Sequence, residues 1–195
     1  LNGGAGSDTA DFSDKTSSVV VALSTTATTT ATVGGLAEDT LVNIENVTGG
    51  SAADILTGST AANKLVGNAG ADLLDGGVGK DTLTGGLGAD TFRFSTTPSA
   101  TNRDLITDFS SAQGDKLSFD KSIYAGFGAA TTITSAQFIS GAGLIAATSL
   151  EHRFIQDTTT GILRFDLDGS GGLAGALDVA QLGVTSHPAL AATDF

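Results

Sequence analysis

The chain has 195 residues, a formal net charge of −12 and no cysteine, methionine or tryptophan. That charge makes nucleic acid and anionic membrane surfaces poor partners and cations good ones, and the missing cysteine removes disulfides and thiolate metal sites. With 40% hydrophobic residues and no apolar run long enough to span a bilayer, the length fits one elongated domain or two small ones.

The first element in chain order is a glycine-rich unit, GGAGSDTAD at Gly3–Asp11, with Asp8 sixth and Ala10 eighth. Val19–Leu23 and the Thr/Ala-rich run Ser24–Val33 are short and β-prone, and are expected as extra strands inserted into, or capping, a repeat structure. GGLAEDTLV at Gly34–Val42 repeats the first pattern, with Asp39 sixth, Leu41 eighth and Ala37 in place of the fourth glycine. From Gly49 to Arg93 five nine-residue units then abut: GGSAADILT, GSTAANKLV, GNAGADLLD, GGVGKDTLT and GGLGADTFR. Their sixth places are Asp54, Asn63, Asp72, Asp81 and Asp90, and their eighth places are Leu56, Leu65, Leu74, Leu83 and Phe92.

A fixed short period of this kind marks a stacked coil. One apolar residue per unit faces inward from a short strand, because side chains alternate across a sheet. The glycine-rich stretch before it reads as a turn. Two units then complete one coil, so residues eighteen apart stack about 4.8 Å from each other. Asp54, Asp72 and Asp90 line one edge, and Asn63 and Asp81 the other. Carboxylates at that spacing repel by about 1 kcal/mol in water and roughly 3.5 kcal/mol at an effective dielectric of 20. A cation between neighbours reverses the sign. Glycine turns also expose backbone carbonyls, and the candidates here are those of Gly49, Gly67, Ala69, Gly76, Val78, Gly85 and Leu87. Carboxylate plus several carbonyl oxygens is a hard, all-oxygen donor set that favours calcium over magnesium and softer metals, with several ions along the stack. One buried leucine per nine ordered residues offsets little of the chain entropy, so the stack is expected to order only when metal binds.

These units resemble the GGxGxDxUx nonapeptide of RTX proteins, with GGVGKDTLT and GGLGADTFR fitting every place. The resemblance implies an all-β fold: a parallel β-roll over residues 1–94, with an inserted strand segment at about 12–33, then a β-sandwich-like cap over 95–195. It also implies calcium between turns, export through the type I secretion machinery and an extracellular location, with the export signal within the last fifty or so residues. The best-formed sites are expected within Gly67–Asp90, because GSTAANKLV lacks two glycines and offers only the neutral Asn63. Asn43–Thr48, NIENVT, looks like a connector of this family and leaves fifteen residues from Asp39 to Asp54, an uncertain register.

Beyond the repeats, RDLITDFSSAQGDKLSFD at Arg103–Asp120 resembles the segment that closes the roll in serralysin-type proteases. Asp108 lies eighteen residues after Asp90, so Asp104 or Asp108 is expected to complete the last site or else to be an exposed strand-end carboxylate. Asp115 is expected in a turn, with metal binding the lesser alternative. Strands are expected around Lys116–Phe119, Gln137–Ile139, His152–Gln156, Ile162–Asp166 and Leu177–Leu182, with a hairpin turn at Asp157–Gly161. DLDGSG at Asp166–Gly171 resembles half of an EF-hand loop, but its glycine comes fourth, so a tight turn is favoured over metal binding by Asp166, Asp168 and Ser170.

His152 and His187 belong to no HExxH motif, and neither a GxSxG elbow nor a phosphate loop is present. The reading is therefore a non-catalytic calcium module, supporting export and stability of a longer chain that begins before Leu1 and serves as its partner. The alternative is a terminal anchoring domain of a surface-layer or adhesive protein.

Overall fold

The structure, a computed structural model, describes residues 1–124, 133–148, 152–166 and 176–195. β1 (Thr9–Asp11) and β2 (Val19–Ala22) begin two sheets that run side by side through the repeats. A hairpin comes next, β3 (Thr29–Val33) and β4 (Leu36–Leu41). The chain then alternates between the sheets through β5 (Asn46–Thr48), β6 (Ile55–Thr57), β7 (Lys64–Ala69), β8 (Leu73–Asp75), β9 (Thr82–Leu87) and β10 (Thr91–Phe94). Odd strands join one sheet and even strands the other, all in parallel.

The register is the eighteen-residue one: Leu56 pairs with Leu74, Leu74 with Phe92, and Leu65 with Leu83. The side chains of Leu56, Leu65, Leu74, Leu83 and Phe92 are all fully buried. They form a two-file core, one file from each sheet, joined at the first coil by Ala10, Val19 and Val21. This pattern gives a β-roll because each repeat unit supplies one large apolar side chain to the interior.

One segment departs from the sequence reading. Gly34–Val42 is not a turn of the roll. Gly34 and Gly35 both have positive φ, 59° and 81°, and form a two-residue hairpin connection. β3 and β4 are therefore antiparallel, with β3 paired to β2, and the hairpin lies beyond the first coil of its sheet. Val19–Leu23 does enter the roll, as the strand that pairs with β6.

β11 (Asp104–Ile106) and β12 (Lys116–Phe119) add one further parallel strand to each sheet. β13 (Phe138–Gly141), β14 (Phe154–Asp157), β15 (Ile162–Asp166) and β16 (Ala176–Leu182) lie close to the expected positions. They extend the odd-strand sheet in the order β11-β16-β15-β14-β13. β14 and β15 form the expected hairpin, its turn ending at Gly161 with φ 72°. The two layers of this cap meet through aromatic rings: Phe119 stacks on Phe94 with centroids 4.8 Å apart and reaches Phe154 at 4.5 Å. Tyr124 meets Phe119 and Phe165 edge-on. Among the described residues no helix is long and apolar enough to cross a membrane.

The leucine files carry most of the burial in the roll. Leu74→Ala is expected to destabilise the folded chain by about 2–5 kcal/mol, read from the midpoint of denaturant unfolding. Leu36→Ala, at a residue 76% exposed, is expected to stay within about 0.5 kcal/mol of the parent. Equal midpoints for the two variants would contradict the core assignment.

Candidate metal centre

Each sixth-position side chain sits where a turn enters a strand, and stacking brings it against the backbone of the preceding coil. In the even-strand row the Val19 amide donates to Asp54 Oδ1 (2.7 Å), the Asp54 amide to Asp72 Oδ1 (2.8 Å), the Asp72 amide to Asp90 Oδ1 (2.9 Å) and the Asp90 amide to Asp115 Oδ1 (3.0 Å). In the odd-strand row the Asn63 amide donates to Asp81 Oδ1 (2.7 Å) and the Asp81 amide to Asp104 Oδ1 (3.2 Å). One oxygen of each carboxylate is thus used as a splint between coils.

The second oxygen differs. Asp54 Oδ2 accepts from the Gly50 amide at 2.6 Å. Asp72, Asp81 and Asp90 each have a buried Oδ2 with no hydrogen-bond partner. These oxygens lie against the first glycine of their own unit: a Cβ on Gly67, Gly76 or Gly85 would collide with the Oδ2 of Asp72, Asp81 or Asp90 respectively. A Cβ on Gly67 would also lie 2.6 Å from the Gly85 carbonyl oxygen, one coil on, and on Gly49 2.9 Å from that of Gly67. Carboxylate and carbonyl oxygens therefore crowd the same small space, and glycine is required there by close approach. The fourth-position glycines are also closely approached, a Cβ on Gly79 lying 2.8 Å from the Ala61 carbonyl oxygen, and have a second reason. Gly79 has φ 138°, a conformation that side-chain-bearing residues resist.

Burial sets the charge state of these groups. It pushes Asp72 up to about 6, with the charges of Asp54 and Asp90 adding to the shift. Burial likewise raises Asp54, Asp90 and Asp115. Asp81 and Asp104 are raised by burial first, with nearby carboxylates adding to it. Among the described residues no three acidic or histidine side chains converge on one point. The carboxylates come singly, one per turn, so the rest of a coordination sphere here is backbone carbonyl. That donor set is all oxygen and carries unpartnered negative charge, and it fits a hard divalent cation of high coordination number.

The structure places the candidate residues unequally. Gly49, Asp54, Asn63, Gly67, Asp72, Gly76, Asp81, Gly85 and Asp90 stand in the stacked turns, joined by Asp104 and Asp115 as the last rung of each row. Ala69 pairs with Leu87 across β7 and β9, and the Leu87 carbonyl already accepts from the Gly70 amide at 2.9 Å. The Val78 amide donates to the Ser59 carbonyl at 3.1 Å. Asp8 heads the odd-strand row, with Oδ2 buried and unpartnered. Asp39 does not join either row; it lies in the hairpin opposite Ala31.

The eighteen-residue count also misplaces Asp108. The closing segment is longer than a repeat, so Asp115, twenty-five residues on, takes the rung after Asp90. Asp108 instead caps two backbone amides, those of Gly85 (3.0 Å to Oδ1) and Gly86 (2.8 Å to Oδ2). Asp166 lies buried in β15, away from both rows. Asp168 and Ser170 lie outside the described residues.

Glu45 is a rung that the sequence reading missed. Its Oε2 accepts the Asp8 amide at 2.9 Å, doing for Asp8 what Asp72 does for Asp54. Asn63 explains its own identity here: Oδ1 accepts the Ser59 amide at 2.6 Å, and Nδ2 donates to the Glu45 carbonyl at 2.6 Å. Asn102, also missed, accepts the Gly79 amide at 2.5 Å and fixes the loop before β11.

Comparison with curated proteins finds no match. Among solved structures, the AlgE6R3 subunit of the Azotobacter vinelandii mannuronan C5-epimerase is 26% identical, covering 92% of this chain and 75% of that one, with a TM-score of 0.34. The AlgE6R2 subunit of the same enzyme is 26% identical over 97% of this chain and 91% of that one, with a TM-score of 0.38. The match to the family described as Peptidase M10 serralysin C terminal runs over residues 2–183, nearly the whole chain, and the protein therefore belongs to this RTX-type family.

Proposed function

We propose that the chain is a calcium-binding module that orders on meeting extracellular calcium and so supports type I export and the stability of a larger secreted protein, of which it is a non-catalytic part. The observation that carries this reading is the set of buried, unpartnered Oδ2 atoms on Asp72, Asp81 and Asp90, each set among stacked glycine turns. Desolvated carboxylate oxygens are costly alone and favourable when a cation takes them. Bound calcium supplies positive charge shared between adjacent coils. The residues that would hold it are Asp72, Asp81 and Asp90 with the glycine carbonyls beside them, and Asp8, Asp54, Asp104 and Asp115 at the ends of the rows. Sites of weak extracellular type fill at about 10⁻⁴ to 10⁻³ M, so cytosolic chain stays open for threading and exported chain closes. Neighbouring coils share each site, which makes filling cooperative along the stack.

Circular dichroism in chelator, magnesium and calcium tests this directly. Calcium is expected to produce the β signal, with magnesium at equal concentration producing little. Full β signal in chelator overturns the switch. Asp72→Ala is expected to raise the calcium midpoint by about tenfold or more. Asp11→Ala, at an exposed carboxylate, is expected to leave it unchanged, and equal midpoints would remove the assigned rows.

Acidity should act in opposite directions with and without metal. Without a cation the folded chain holds the Asp72 proton more tightly than the unfolded chain does, since its pKa rises from 3.8 to about 6. That contribution favours the fold below about pH 4 and is lost as pH rises through about 6. Protons and calcium compete for the same oxygens. The residual β signal in chelator is therefore expected to be greater near pH 4.5 than at pH 7.5, and the calcium midpoint higher at pH 5 than at pH 7.5. A calcium midpoint that ignores pH over this range would show that the buried carboxylates are not the ligands.

A further inference from the structure

The even-strand row ends at Asp115, and among the described residues no further coil lies beyond it to hold that turn. Residues 188–195 take that place. The fully buried Gln156 anchors the segment, its Nε2 donating to the Pro188 carbonyl at 2.6 Å and its Oε1 accepting the Leu190 amide at 2.9 Å. The buried Asp194 then accepts two hydrogen bonds at Oδ2, from the Ala191 amide at 2.8 Å and from Ser111 Oγ at 2.9 Å. Lys116 Nζ donates to the Thr193 carbonyl at 2.5 Å. Phe195 closes the contact, its ring centroid 5.1 Å from Phe138 and 5.0 Å from Phe154.

Ser111 and Lys116 bracket the turn that carries Asp115. Within that turn the Ser110 amide donates to Asp115 Oδ2 at 2.8 Å, and the Lys116 amide donates to the Asp90 carbonyl at 2.8 Å. The tail therefore grips both ends of a loop whose one carboxylate reaches back to the Asp90 amide. The repeat pattern does not call for this contact, and residues 184–195 lie outside the family match.

We propose that residues 190–195 are an internal strap that positions Asp115, with Asp194 as the positioning residue, so that cation binding at the Asp90–Asp115 rung and docking of the tail are coupled. The proposal rests on the cation reading given above. Coupling of this kind is reciprocal. A filled rung holds the strap down, and a docked strap raises the affinity of the rung. In a calcium-poor medium the tail is released along with the last turn, and in a calcium-rich one it is buried.

Residue-resolved calcium titration by amide NMR on the 195-residue chain separates this from general destabilisation. In Asp194→Asn the midpoints reported by the Asp90, Ser110 and Lys116 amides are expected to rise by about fivefold, because a neutral amide oxygen is a weaker acceptor than the carboxylate for the Ala191 and Ser111 donors. Those of the Val19 and Asp54 amides are expected to stay within about twofold of the parent. Ser111→Ala removes the hydrogen bond to Asp194 from an exposed loop residue; it is expected to produce the same local shift and gives the same readout should Asp194→Asn fail to fold. Carboxypeptidase release of Phe195 is expected to slow at the calcium midpoint of the Asp90 amide. A uniform shift of all amides, no shift, or release of Phe195 indifferent to calcium overturns the strap. A parent chain whose amides do not respond to calcium at all overturns the cation reading itself.

Discussion

Everything in the roll depends on one electrostatic constraint: a carboxylate that splints two coils through one oxygen has its other oxygen taken out of water. The splint itself is favourable, because a charged acceptor on a backbone amide is stronger than a neutral one. The same geometry strips the second oxygen of hydration at Asp72, Asp81 and Asp90. Stacking identical turns thus creates the scaffold and the charge deficit in one step. The deficit is met by a proton or by a cation, and at the pH of most extracellular fluids a cation is the stronger competitor for all-oxygen surroundings.

The glycines serve that constraint in two distinct ways. At first positions such as Gly67 and Gly85 the requirement is space, since any Cβ would occupy the volume between carboxylate and carbonyl oxygens. At fourth positions such as Gly79 backbone conformation is added to the lack of space. Asn68 shows the boundary of the rule: it holds φ 79° at a second position, which asparagine tolerates, and its Nδ2 donates to the Gly49 carbonyl at 2.7 Å.

Much of this is legible in the sequence because the repeat is direct. Five abutting units set the eighteen-residue register, the leucine files and the rows through Asp54, Asp72 and Asp90 and through Asn63 and Asp81. The reading fails where a local signal imitates or interrupts the repeat. Gly34–Gly35 satisfies the nonapeptide pattern, yet two consecutive positive-φ glycines between β-prone runs make a hairpin turn. Asp108 satisfies the count from Asp90, but the closing loop carries extra residues and hands the rung to Asp115. Glu45 is within reach: it stands eighteen residues before Asn63, and only its extra methylene hides it among sixth-position aspartates. The cap strands can be read from composition, whereas their order β11-β16-β15-β14-β13 depends on long-range pairing that no local pattern encodes.

The amide at Asn63 gives the roll an asymmetry. Its side chain carries both a donor and an acceptor, and each finds a backbone partner without outside help. The side chain of this step is therefore neutral and satisfied by backbone alone. On one side of it stand carboxylates that demand a counter-ion; on the other, the Glu45 carbonyl is held by the asparagine itself. The roll thus holds one neutral, internally satisfied side chain in a file of buried carboxylates.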